Sequence, residues 1–430
     1  MEPHGATPEI IQMPTSSPSD CRASRRTLAA LAEIVEREAW RRALRCIQEQ
    51  REWLDQSQIE LTEIPAPTFQ EAARAEHMAG RFRELGLRDV RLDAAGNALG
   101  ERPGASHGSG HEVVVIAAHL DTVVPRGVAI EVQRSNGRLC APGISDNGAG
   151  LAAMLGILAA LAKAEIETDR SLLFAATVGE EGEGDLYGMR RLFSQPELCR
   201  RTAGVFVVDG SATTHITTAG LGSRRFQVQI SGPGGHSWND FGRVNPIQAL
   251  VNAIAELGRV SLPASPRASL NVGMIHGGTA VNSIPASAWM KVDIRSTSAE
   301  EIERLSLALE AAVKAAVRQE TERATGSLEA AITALGNRPV AVLPESARLL
   351  ETMREVDRYL GNRSRLECSS TDANIPLSLG VEAVAIGGGG SSGDAHTSQE
   401  WYDPRGREFG LKRLLLAILM TAGMVEEAEG

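Results

Sequence analysis

The sequence predicts an α/β protein: a mixed, mostly parallel sheet covered by helices on both faces, with a smaller α+β unit inserted into it. Three observations carry this expectation. Short continuous apolar runs at 113–118, 171–176 and 205–208 alternate with helical segments, the pattern of strands buried on both faces. From about Gly220 the texture changes to half-buried strands and two helices in the order βαββαβ, that of a ferredoxin-like sandwich. At 430 residues the chain is also too long for one ordinary core. The expected division is a disordered N-terminal extension over 1–25, a first part of the main domain over 26–219, the inserted domain over 220–335, and a second part of the main domain over 336–430.

Leu28, Leu31, Ile34, Val35, Ala39, Leu44 and Ile47 recur at helical spacing, so one or two helices open the folded part between 26 and 55. A helix over 72–87 follows, then a short strand over 89–92 and a turn at Ala94-Ala95-Gly96-Asn97. The run 113–118 is the next strand, and a small one is expected over 128–132. Residues 148–164 are rich in Ala and Leu and read as a helix buried on most sides. After the strands at 171–176 and 205–208, the inserted unit is expected to run as strand 225–230, helix 246–257, strands 269–275 and 288–294, amphipathic helix 300–318 and strand 328–334. The chain then returns with a helix over 347–359, a strand over 383–386, a glycine loop and a closing helix over 409–424.

Hydrophobic residues at 43% and charged residues at 23% are ordinary for a globular protein. A formal net charge of −10 argues against nucleic acid and anionic membranes as partners. The five cysteines (Cys21, Cys46, Cys140, Cys199, Cys368) are scattered and form no CxxC, which argues for a reducing compartment and against a disulfide frame or a thiolate zinc site. No apolar stretch reaches the roughly 20 residues of a membrane helix. Residues 1–20 are rich in Pro, Ser and Thr without an apolar core, so they are not a secretory signal. Arg22, Arg25 and Arg26 faintly suggest a transit peptide, but Glu2, Glu9, Asp20, Glu33 and Glu36 outweigh them. A cytoplasmic protein is expected.

In covered α/β sheets chemistry gathers just beyond the strand ends. His119, Glu180-Glu181 and Asp209 all sit at such ends. His119 and Asp121 are two apart, so on a continuing strand they share a face. A carboxylate beside a histidine is how proteins present an oriented imidazole to a metal; a buried histidine satisfied by its neighbour is the alternative. Asp146, just before the 148–164 helix, is either an N-cap or a carboxylate giving one oxygen to each of two cations roughly 3.5–4 Å apart. Glu180-Glu181 belongs to a run of four acids within six residues after a buried strand. Adjacent extended residues point in opposite directions, so one of the pair can bind metal while the other serves as general base. The alternative there is a solvated acidic loop. Asp209 reads as a ligand or an Asx turn, and His396 as a ligand or a solvated loop histidine. The glycines at 387–390 do not form a phosphate cradle, since no Gly-Lys-Ser/Thr follows, and are expected to let the backbone approach a ligand closely. Together, two histidines, three carboxylates and a spare acid are the donor profile of a catalytic pair of zinc, manganese or cobalt ions.

Ala118-His-Leu-Asp-Thr122, Ser145-Asp-Asn-Gly148, Gly179-Glu-Glu-Gly182, the late His396 and the inserted domain resemble the di-zinc peptidases that include peptidase T, carnosine dipeptidases, carboxypeptidase G and acetylornithine deacetylase. The likeness runs from about Leu54 to Met424. It implies a zinc-peptidase-like α/β domain with an inserted ferredoxin-like lid and dimerisation domain, and two divalent ions, zinc first, with manganese or cobalt as alternatives. His119, Asp146 and Asp209 would hold one ion, and Asp146, Glu181 and His396 the other. Asp121 would orient His119, and Glu180 would take a proton from the water bridging the ions. The peptide between Asp146 and Asn147 would be cis. Gly232-Pro-Gly-Gly-His236-Ser looks like the lid segment whose histidine stabilises the tetrahedral intermediate, often across a dimer interface. Asn282 and Arg295 match positions that grip substrate carboxylate or carbonyl groups, against a surface arginine at a strand end for Arg295. In this family an Asp at position 209 accompanies aminopeptidases and dipeptidases. Ser370-Thr-Asp-Ala-Asn374 also looks closer to the peptidase T side, although Ser391-Ser-Gly-Asp-Ala between the glycines and His396 departs from it. The expectation is an exopeptidase for di- and tripeptides acting from the free amino end, a homodimer through its lid. The rivals are an amidohydrolase of N-acyl amino acids and a non-catalytic binding protein of the same fold.

Overall fold

The computed structural model describes residues 28–106 and 111–425; the expected N-terminal extension over 1–25 lies outside them. The three apolar runs pair in parallel, with Val113–His119 between Ser171–Thr177 and Thr202–Val208. The first two are buried along their whole length, so each can afford only apolar or fully bonded side chains. Ala383–Ile386 extends the parallel set beside Thr202–Val208. The flanks are mixed. Ala98–Arg102 and Arg88–Leu92 add antiparallel strands on one side. On the other, His215–Gly220 runs antiparallel to Ala383–Ile386 and itself pairs with Ala341–Val342 and, in parallel, with Arg365–Ser369.

Gly148–Lys163 has no polar face because it has no solvent face. It lies against Val113–His119, Thr202–Val208 and the helices Glu38–Glu49, Arg51–Glu63 and Arg407–Ala422, and every residue from Gly148 to Leu161 is buried. Each Leu or Ile so buried contributes about 1.5–3 kcal/mol. Helix Ala72–Glu84 covers the antiparallel edge.

A second sheet has the order Ala268–Gly277, Ser287–Ser296, Gly222–Ser231, Glu329–Arg338, all antiparallel. With helices Pro246–Leu257 and Ala299–Arg323 packed on it, this is the expected βαββαβ sandwich with its own core, including Val228, Leu250, Met290 and Leu309. Asn245 caps the first helix and Ser298 the second, each accepting from backbone N–H groups of the first turn. The last strand continues to Arg338, past the expected end at 334.

Some expectations need correction. Residues 128–132 form no strand. The chain instead makes a hairpin of Gln133–Ser135 and Arg138–Cys140 across Asn136-Gly137, both with positive φ (51° and 77°), as a two-residue hairpin turn requires. The strands Ala98–Arg102, His215–Gly220 and Arg365–Ser369 were not expected; their alternating or polar sequences lack the continuous apolar signal. No described helix is long and apolar enough to cross a membrane.

Candidate metal centre

Because the central strands are parallel, their C-terminal ends open on one edge of the sheet. His119 is the last residue of its strand, Asp209 follows the end of Thr202–Val208, and Glu180-Glu181 follows Ser171–Thr177. Asp146 precedes helix Gly148–Lys163, and His396 comes from the loop beyond Ala383–Ile386. Potential ligand atoms of His119, Asp146 and Asp209 lie within 4.8 Å of one another, as do those of Asp146, Glu181 and His396. Asp146 belongs to both groups and divides its oxygens between them. Its Oδ1 lies 3.0 Å from His119 Nε2 and its Oδ2 lies 2.9 Å from His396 Nε2. His396 Nε2 is also 2.9 Å from Glu181 Oε1, and His119 Nε2 is 4.0 Å from Asp209 Oδ1.

Asp146 is not the helix cap. Asn147 takes that role: its Oδ1 accepts from Gly150 N–H at 3.0 Å and from Gly210 N–H at 3.2 Å, while its Nδ2 donates to the Val208 carbonyl at 2.9 Å. The carboxylate next to it is thereby left for the cluster. The Asp146–Asn147 peptide is cis, as the resemblance implies.

His119 is oriented by Asp121 through the main chain. Its Nδ1 donates to the Asp121 carbonyl oxygen at 3.0 Å, while the Asp121 carboxylate is 3.5 Å away. A carbonyl only accepts, so Nδ1 carries a proton and Nε2 faces the carboxylates. The Asp121 carboxylate instead accepts from the backbone N–H groups of Glu180 and Glu181, at 2.9 and 2.8 Å, and from Thr68 at 2.9 Å. It fixes the acidic loop.

Glu180 and Glu181 each place an oxygen within 4.8 Å of a His119 ring nitrogen, but their closest partners differ. Glu181 meets His396, whereas Glu180 Oε1 pairs with Arg338 Nη1 at 3.0 Å in a buried ion pair. Arg338 also donates to the Glu180 carbonyl and to Ser370 Oγ at 2.9 Å. It comes from the end of the second sheet and had no signal in the sequence, since its role depends on where that strand ends. Asp372 is likewise buried below the loop, accepting from Thr177 Oγ1 at 2.6 Å.

The electrostatics of the cluster fit cations. Burial and the charge of Asp146 push Asp209 up to about 7, and burial pushes Asp372 up to about 6. Burial drives Glu180 well above the carboxylate range despite Arg338. Burial opposes a charged His119, yet its hydrogen bonds to Asp121 and Asp146 raise it well above an ordinary histidine. His396 rises to about 10 through its hydrogen bonds to Asp146 and Glu181. Protons are held where these acids and imidazoles meet, and a divalent ion at each meeting point would replace them. The donor set of imidazole nitrogen and carboxylate oxygen suits zinc, manganese or cobalt.

The other three expected site residues are not in contact with this cluster. His236 and Asn282 are exposed and lie together on a small ladder, where Gly235–His236 pairs with Ser283–Ile284 and Ser237 N–H donates to the Asn282 carbonyl at 3.0 Å. Arg295 is part-exposed and paired with Asp293 at 2.7 Å. Gly387 and Gly389 are buried against the chain itself; a Cβ on Gly387 would sit 2.3 Å from Ala212 N, and one on Gly389 2.6 Å from the Arg407 carbonyl. The chain packed against them leaves no room for a side chain at either position.

Comparison with known proteins agrees with this architecture. The sequence pattern of Peptidase family M20/M25/M40 matches residues 115–420, and the chain belongs to that family. It is 27% identical over 226 residues to a "Probable carboxypeptidase" of Uncinocarpus reesii, a match covering 48% of this chain and 50% of that one, so the chain spans about half the length of that curated relative. The fold is that of solved peptidases. A tripeptidase of Staphylococcus aureus superposes with a TM-score of 0.70 at 22% identity, covering 86% of this chain and 98% of that one. The aminopeptidase PepT of Bacillus cereus superposes with a TM-score of 0.67 at 21% identity, covering 86% and 99%.

Proposed function

We propose that this protein is a metal-dependent exopeptidase that hydrolyses di- and tripeptides from the free amino end. The observation that carries the reading is the Asp146 carboxylate, which turns one oxygen to His119 and the other to His396. His119, Asp146 and Asp209 would hold one divalent ion, and Asp146, Glu181 and His396 a second, with zinc the first choice. Bound there, such ions would polarise the scissile carbonyl and make a water acidic enough to attack near neutral pH. Glu180 is the general base: it stands within reach of His119 and Glu181 but is tied to Arg338, takes the proton of the attacking water and passes it to the leaving amine. Arg338 holds it in place. Asp209, an aspartate rather than a glutamate, supports the peptidase side, as does the family match. The fold is shared with hydantoinase/carbamoylase amidases as well as with peptidases and does not separate the two.

Residues 220–335 act in this reading as lid and dimer contact, with His236 stabilising the oxyanion across the interface. Strand Gly222–Ser231 supports this. Its start pairs with Arg338, which touches Glu180, while the chain reaches His236 only beyond its far end. Eight strand steps separate Ser223 from Ser231, roughly 26 Å. A histidine so placed reaches the cluster of a second copy more readily than its own. Trp238, Phe241 and Val281, close to His236 in sequence or on its ladder, are strongly exposed apolar side chains of the kind interfaces cover. Asn282 and Arg295 are assigned to substrate binding on the resemblance alone.

The test is turnover of trialanine against N-acetylated amino acids by the metal-loaded protein. Cleavage of the tripeptide is expected, and exclusive deacylation would establish the amidohydrolase instead. Glu180→Gln should lower kcat by roughly 10²–10⁴-fold while retaining metal; an unimpaired variant sinks the proposed base.

A further inference from the structure

Glu400 is 1% exposed, is in no ion pair among the described residues, and belongs to none of the metal-binding groups. Both of its oxygens are nonetheless used, all on one short segment. Oε2 accepts from Gly143 N–H at 2.7 Å. Oε1 accepts from Ser145 N–H at 2.8 Å, from Ser145 Oγ–H at 2.7 Å and from Asp146 N–H at 2.9 Å. The main chain adds a further bond, Ala141 N–H to the Glu400 carbonyl at 3.1 Å. Every partner is a donor, so only an ionised, acceptor-only side chain satisfies all of them; an amide would turn an NH₂ toward an N–H. Charge-assisted bonds of this kind are shorter and stronger than neutral ones.

The clamp has a particular place. Glu400 lies in the same loop as His396, and it grips the turn that carries Asp146. The two loops are some 250 positions apart in sequence, and their ligand atoms meet at 2.9 Å. We infer that Glu400 is a positioning residue for the metal centre: it sets Asp146 against His396 and thereby fixes the one carboxylate common to both ion positions. The inference rests on the two-ion reading given above. Its signature follows from Asp146 being shared. Loss of His396 removes a ligand from one ion only, whereas loss of Glu400 weakens the hold on both. A buried negative charge close behind Asp146 also favours cations in front of it, which a neutral replacement would not.

The test is metal binding itself, read on the whole chain by competition with a chromophoric chelator for Co²⁺ and by the Co²⁺ visible absorption spectrum. Wild type is expected to take up two ions. Glu400→Gln, folded by circular dichroism, should hold both roughly 10–100-fold more weakly, the usual effect of losing a group that orients a ligand, and its spectrum should change. Ser145→Ala, which removes one of the four side-chain bonds, should shift both affinities the same way by a smaller factor. His396→Ala should weaken one ion selectively. Affinities within about twofold of wild type in Glu400→Gln, with an unchanged spectrum, overturn the inference; should that variant fail to fold, the same result in Ser145→Ala overturns it. Wild type binding no divalent ion would remove the two-ion reading and the inference with it. Two ions held equally by wild type and Glu400→Gln would remove only the role of Glu400.

Discussion

Asp146 and Asn147 are neighbours with opposite duties, and single substitutions should separate them. Asn147→Ala loses the helix cap and leaves the Val208 carbonyl and Gly210 N–H without their partner, so it should cost about 2–3 kcal/mol in urea unfolding of the metal-free protein. Asp146→Asn should change that stability much less and abolish metal binding. Arg338 is the other telling residue. Arg338→Ala takes away a cation that opposes burial at Glu180, so the Glu180 carboxyl should rise further. The variant should lose stability as pH rises and the carboxyl is forced to ionise, and Glu180→Gln in the same chain should remove that pH dependence in a double-mutant cycle. These residues were unequally legible. His119, Asp146, Glu180, Glu181 and Asp209 announced themselves because acids and imidazoles stand at the ends of apolar runs, where burial without a partner is costly. Arg338 gave no such signal, because an arginine at a strand end is ordinary until the strand order brings it to Glu180. Asp121 was legible as the neighbour of His119, but not that its carbonyl would lie nearer to Nδ1 than its carboxylate, at 3.0 against 3.5 Å, since the chain leaves the strand at His119.

At the scale of elements, continuous apolar strands were readable and mixed ones were not. Ala383–Ile386 and Pro246–Leu257 lie where their residues predict, whereas His215–Gly220 hides in a Thr-rich stretch and is stabilised by neighbours far away in sequence. The Asn136-Gly137 turn was a local signal of a hairpin, outweighed by the more apolar residues just before it. The glycine loop yields a prediction. Gly389 has φ of +96°, and an added Cβ would meet the Arg407 carbonyl at 2.6 Å and the Gly410 Cα at 2.9 Å, all backbone. Gly389→Ala should therefore destabilise by about 4 kcal/mol or more, or prevent folding, read by yield and thermal melting. If the variant folds at wild-type stability, the loop is not packed as described.

For the whole molecule, the separation between His236 and the Glu180 end of its own sheet makes complementation the decisive experiment. His236→Ala and Glu180→Gln should each be nearly inactive. After mixing and exchange of subunits, about a quarter of the wild-type sites should be complete, because half the dimers are mixed and each holds one intact site. No recovery, with dimers shown by ultracentrifugation, would place the action of His236 within one chain or nowhere. On the two-ion reading chelation should also lower the melting temperature, since each ion at 100 times its Kd would contribute about 2.7 kcal/mol to the folded state and removal leaves the acids facing one another.

The two histidines of the centre differ in one respect that bears on time rather than on energy. The His119 side chain is 2% exposed and the His396 side chain 51%. His396 also sits at φ +64°, in a backbone region where a residue with a side chain is held by its surroundings rather than by its own preference. On the two-ion reading, an ion beside His396 would be the more exposed of the two and should leave first, while one beside the buried His119 should be held longer. Dialysis should empty the centre in two phases, and an exchange carried out between them should yield a mixed-metal protein with the newcomer always on the same side.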